Sequence, residues 1–138
     1  MIAIVDYGAG NLKSVKNALD DLKVDSIITN KVSDILNADR IIFPGDGSFG
    51  FAMENLRKKN LVKSIKQFIA EGKPFFGICL GLQILFEESE ESPGVKGLSV
   101  FKGKVVKFRK GKVPQIGWNK IICKKNIFEK NIFFDSYM

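Results

Sequence analysis

The chain contains no histidine. That removes the residue most often used as a general base near neutral pH, the usual partner of a nucleophilic cysteine, and the commonest metal ligand. Cysteine is almost as scarce, with two in 138 residues, Cys79 and Cys123. So few, in unrelated contexts, exclude a disulfide framework and argue against a zinc site. No apolar run nears the length needed to span a bilayer. The start, MIAIVDYG, lacks the basic region and cleavage site of a signal peptide. The expectation is a cytoplasmic protein, with no membrane partner and no metal. Acidic residues are outnumbered, 15 against 22 basic, for a net charge of +7. The lysines are scattered over helix-like faces and the stretch KGKVVKFRKGK, without the aromatic interleaving of RNA-reading surfaces. They read as a solvated or protein-docking face, and nucleic acid is not an expected partner.

What is present suits one globular domain over 1–138, with 45% hydrophobic and 27% charged residues. IAIV (2–5), VDSIIT (24–29), RIIFPG (40–45) and FFGIC (75–79) are β-branched or aromatic runs bounded by turn residues, and read as strands. Leu12, Val15, Ala18, Leu19 and Leu22 fall on one helical face opened by Asn11. Residues 49–70 are helix-like with a break near Asn60, and LGLQILFEE (80–88) is read as a further helix. The order predicts an α/β fold: a doubly wound, mostly parallel sheet with helices on both faces. After about residue 100 the texture changes to short strand-like runs (105–108, 115–118, 119–123, 132–135), expected to be antiparallel or mixed. The chain stops just after the last of them, where a doubly wound fold would continue.

Three glycine-rich turns follow strands. In Gly77-Ile78-Cys79-Leu80-Gly81, glycines two before and two after the cysteine permit a strained strand-to-helix elbow. A cysteine there meets backbone N–H groups that favour a thiolate and an oxyanion. The bland alternative is a buried structural cysteine with glycines for close packing. FPGDGSFG (43–50) can aim N–H groups at an anion or carbonyl, although its spacing fits no nucleotide loop. DYGAGN (6–11) closes the first strand. In an open parallel sheet, all three meet at the carboxyl edge. Trp118 in VPQIGWN is either an exposed contact or core. The acidic run Glu87, Glu88, Glu90, Glu91 reads as a solvated face.

Together, IAIVDYGAGNLKSV, FPGDGSFGFAMENL, GKPFFGICLGLQILFEESEE, GLSVFKGKVVKF and VPQIGWN resemble the class I glutamine amidotransferases, a flavodoxin-like fold. More narrowly, they are similar to the glutaminase subunits of imidazole glycerol phosphate synthases, enzymes of histidine biosynthesis. The resemblance covers nearly the whole chain. It implies Cys79 as the nucleophile that forms a glutamyl thioester and releases ammonia. It implies oxyanion donors at Leu80 and in the PGDG loop, Asp46 and Gly47, with the Asp46 N–H swinging inward. It places glutamine against Gly47, Gln83, Glu91 and Ser136. The partner it implies is a (β/α)8-barrel cyclase in a heterodimer, docked on the side of Asn11, Trp118 and Asn119. No cofactor is implied.

The chain departs from that pattern. Asp46 stands where the family has an apolar residue, and its carboxylate is expected to point outward. Asp135 replaces the histidine of HSY, and Gln115 a histidine before GWN. Family members continue for about another third of this length, carrying a histidine and glutamate that complete a Cys-His-Glu triad. On this reading the domain is C-terminally incomplete and the chain inactive alone. Gln115 and Asp135 also suit a paralogous subunit supplying ammonia for amidino groups on surface sugars. A non-catalytic partner-binding fragment and a flavodoxin-like ligand-binding module are the remaining readings.

Overall fold

A computed structural model describes residues 1–111 and 113. The runs with β-branched and aromatic residues form four strands: β1 (Ile2–Val5), β2 (Ser26–Thr29), β3 (Arg40–Phe43) and β4 (Phe75–Gly77). They pair in the order β2-β1-β3-β4, every pair parallel, with Ala3 opposite both Ile27 and Ile41, and Ile42 opposite Phe76. The chain moves from β1 outward to β2, then crosses back to β3 on the other side of β1. The direction of winding therefore reverses between β1 and β3, where such sheets open a crevice at their carboxyl ends.

Helix α1 (Leu12–Asp21) starts where the Asn11 side chain accepts from the Ser14 N–H at 3.1 Å. It packs on β1 and β2. Helices α3 (Phe49–Lys58) and α4 (Leu61–Ala70) are separated by Asn60 in the left-handed region, φ 58°. Asparagine tolerates that conformation better than most residues, which fixes the expected break at its position. Alternation then sorts the sheet. Ala3, Val5, Ile41 and Phe43 turn to one face and form a buried cluster with Met53, Leu56, Ile65 and Phe68 of α3 and α4. Ile4, fully buried, turns to the opposite face.

A short helix, α2 (Val32–Asn37), joins β2 to β3, where the sequence suggested two strands in succession. It buries one side chain, Ile35, and so leaves almost no periodic signal. Parallel neighbours nevertheless require a crossover, and α2 is that crossover.

The helix expected over 80–88 is shorter. Helix α5 spans Leu80–Gln83 only. The backbone beyond Gln83 is engaged by a returning loop instead. Leu98 donates to Ile84, Val100 to Leu85, Ser99 to Phe86 and Gly97 to Glu87, at 2.8–3.3 Å. The chain then forms β5 (Glu88–Ser89), which pairs with β6 (Lys104–Val105). That ladder, the one described in the region after residue 100, is parallel. The remaining runs, 115–118, 119–123 and 132–135, lie outside the described residues. All these elements belong to the compact unit Met1–Lys107. Among the described residues no helix is long and apolar enough to cross a membrane.

Candidate active site

The elbow is built by contact between backbones. Cys79 follows β4 and precedes α5, with φ 54° and ψ −110°, outside the regions where side-chain-bearing residues are comfortable. The turn closes so tightly that a Cβ on Gly77 would lie 2.4 Å from the Gly81 carbonyl oxygen. One on Gly81 would lie 2.1 Å from the Phe43 carbonyl oxygen. The same Phe43 oxygen accepts from the Ile78 N–H at 3.0 Å, tying the elbow to β3. Cys79 is exposed and free. The Gly81 N–H is occupied by Ile78, and Leu82 and Gln83 both donate to Cys79. The Leu80 N–H has no hydrogen-bond partner among the described residues, as expected for the first amide of a helix. Strain, exposure and an unused donor thus coincide at one residue pair.

The loop after β3 lies beside this elbow. A Cβ on Gly45 would sit 2.8 Å from the Leu80 Cβ and 2.9 Å from the Gly81 nitrogen. Asp46 and Gly47 are exposed, and Gly47 takes φ 84° with open space around it. The third loop joins them. Gly10 approaches Pro44, whose oxygen would be 3.4 Å from an added Cβ. Tyr7 is fully buried, stacks on Phe43 with ring centroids 5.0 Å apart, and donates its hydroxyl to the Asp46 carbonyl at 2.9 Å. Burial pushes the Tyr7 pKa up, with smaller contributions from the charges of Asp46 and Cys79, so the phenol stays protonated and remains a donor at neutral pH. DYGAGN, PGDG and GICLG therefore converge at the carboxyl edge. The sequence offered no reason to single out Tyr7, beyond an aromatic set among glycines.

Gln83 and Glu91 line one cleft of about 560 Å3 together with Ser89, Glu90, Val105, Val106 and Lys107. It begins one helical turn from Cys79, which is not among its lining residues. Glu91 has a second engagement. Its Oε2 accepts from the Phe49 N–H at 2.8 Å, Ser92 Oγ accepts from the Gly50 N–H at 2.9 Å, and Ser48 accepts from the Phe51 N–H at 3.3 Å. The first turn of α3 is thereby satisfied by side chains, two of them from the segment after β5. Asn11 is exposed, although its side-chain oxygen is committed to α1. Ser136, Trp118, Asn119, Gln115 and Asp135 lie outside the described residues.

This combination of a strained cysteine elbow and two glycine loops on a parallel sheet agrees with comparison to known proteins. The family model "Glutamine amidotransferase class-I" matches residues 3–136, and the chain belongs to that family. Within it, the chain is 41% identical over 140 aligned residues to the imidazole glycerol phosphate synthase subunit HisH of Chlorobaculum tepidum, covering 99% of this chain and 70% of that protein. It is 51% identical to the HisH subunit of Methanocaldococcus jannaschii, covering 88% and 61%, and 52% identical to that of Pyrococcus furiosus, covering 90% and 60%. The chain thus spans 60 to 70% of the length of these relatives. A solved structure titled as a glutamine amidotransferase shares the fold, with a TM-score of 0.62 and 23% identity over 72% of this chain and 53% of that one.

Proposed function

We propose that this chain is the glutaminase part of an imidazole glycerol phosphate synthase, working in the cytoplasm as one amidotransferase domain. The thiolate of Cys79 attacks the side-chain carbonyl of glutamine. A C–S bond forms, and the oxygen takes the negative charge within reach of the Leu80 and Asp46 N–H groups. The C–N bond then breaks, ammonia leaves after taking one proton from solvent, and a glutamyl thioester remains. Water cleaves the thioester to glutamate and returns the thiol. Gln83 and Glu91, with Gly47 and Ser136, hold the glutamine. Ammonia passes to a (β/α)8-barrel cyclase docked by Asn11, Trp118 and Asn119, for histidine biosynthesis. The names of the relatives favour that destination over surface-sugar amidation.

The observation that carries this reading is Cys79 at φ 54°, exposed beside a Leu80 N–H that has no hydrogen-bond partner among the described residues. The chain has no imidazole to serve as base. A general base contributes about 10²- to 10⁴-fold, so these 138 residues are expected to bind glutamine and be labelled at Cys79 better than they turn over. The test is alkylation by a chloroketone analogue of glutamine, mapped by mass spectrometry. Labelling of Cys79 well ahead of Cys123, suppressed by free glutamine, is the expected result. Equal labelling of the two cysteines would overturn the reading.

A further inference from the structure

The loop after β3 is held on both sides of a single peptide. On one side the Phe43 oxygen is bonded to the Ile78 N–H, and Gly45 abuts Leu80 and Gly81. On the other side the Asp46 carbonyl is bonded to Tyr7. Between them lies the Gly45–Asp46 peptide. Its Asp46 N–H has no hydrogen-bond partner among the described residues. Tyr7 has no freedom to let go by moving aside, because its ring is fully buried and stacked on Phe43 at an interplanar angle of 14°.

We infer that Tyr7 is a positioning residue for this site: its buried hydroxyl anchors the Asp46 carbonyl and so confines rotation of the loop to the one peptide that carries the Asp46 N–H. The inference rests on the oxyanion role proposed above for that N–H. Two consequences follow from the geometry. The Asp46–Gly47 peptide stays fixed while its neighbour turns, so the exposed Asp46 side chain can remain on the solvent side. And a phenol, which donates without carrying charge at neutral pH, holds the carbonyl without adding a cation beside the thiolate.

The experiment compares two electrophiles on the same cysteine in the full chain. The glutamine chloroketone has a carbonyl whose oxygen lies where the oxyanion forms. Iodoacetamide has a reactive carbon but no need of the loop. In each case the Cys79 sulfur forms a bond to carbon, the halide leaves with the bonding pair, and the thiol proton goes to buffer. Tyr7→Phe keeps the ring and removes the donor. It is expected to slow the chloroketone about tenfold while iodoacetamide stays within about twofold, less than the 10²- to 10³-fold cost of losing an oxyanion donor outright. Replacement of Tyr7 by 4-aminophenylalanine, which restores an N–H on the same ring, is expected to recover the rate, and it serves as the test should Tyr7→Phe not fold. Thr29→Val controls for lost stability. Thr29 is buried on the far edge strand, where its hydroxyl donates to Asp34 at 2.6 Å, and both rates should stay at wild-type level. Equal slowing of both reagents by Tyr7→Phe, or slowing of neither, means that Tyr7 only packs. Loss of chloroketone reactivity alone in the 4-aminophenylalanine protein also overturns the inference. Equal chloroketone labelling of Cys79 and Cys123 in the wild-type chain sinks the glutaminase reading itself, and this inference with it.

Discussion

Two glycine turns sit side by side on this sheet and are built in opposite ways. The elbow at 77–81 is locked by backbone against backbone, with no room for a methyl group at Gly77 or Gly81. The loop at 44–47 is pinned at its flanks but open at its tip, where Gly47 has nothing among the described residues within 4 Å of an added Cβ. One turn leaves its glycines no room. The other leaves Gly47 space among the described residues. Glycine serves the first by lacking bulk and the second by adopting positive φ, and substitution separates these two reasons.

Gly81→Ala strikes the locked turn. The added methyl would meet the Phe43 oxygen at 2.1 Å, and the contact is main chain on both sides, so no side chain can give way. A loss of about 3 kcal/mol or more is expected in urea unfolding, at the upper end of overpacking costs. Gly47→Ala strikes the open one. With φ 84° and free space, only left-handed strain opposes it, and about 1 kcal/mol is the expected loss. A Gly47→Ala loss as large as that of Gly81→Ala would erase the distinction. The last effect is of opposite sign. Cys79→Gly relieves a residue at φ 54°, a strain of about 1–3 kcal/mol, against about 0.5–1 kcal/mol of added backbone entropy. A slight rise in melting temperature, with loss of all labelling at position 79, is expected. A fall would mean that the elbow is not strained.

The elbow was legible because its causes are local. Gly77, Cys79 and Gly81 declare the turn by spacing alone, and β1, β3 and β4 carry dense apolar runs. What the sequence concealed was long-range. The apolar pattern of Ile84 and Leu85 continues a helix on paper, and in the fold the carbonyls of 84–87 bond instead to the amides of 97–100. The six residues of α2 bury too little to announce themselves. Tyr7 is distinguished only by a contact 39 residues away, which no local pattern encodes. Glu91 was singled out by resemblance as a ligand for glutamine. Its bond to the Phe49 amide could not be foreseen from its place in an acidic run.

That bond wires the cleft to a helix. One oxygen of Glu91 is engaged by the first amide of α3, while the residue lines the cleft beside Gln83. The amide of Phe49, a residue absent from the cleft wall, therefore touches the cleft through a single carboxylate. Its resonance can be followed without placing a label anywhere near the cysteine.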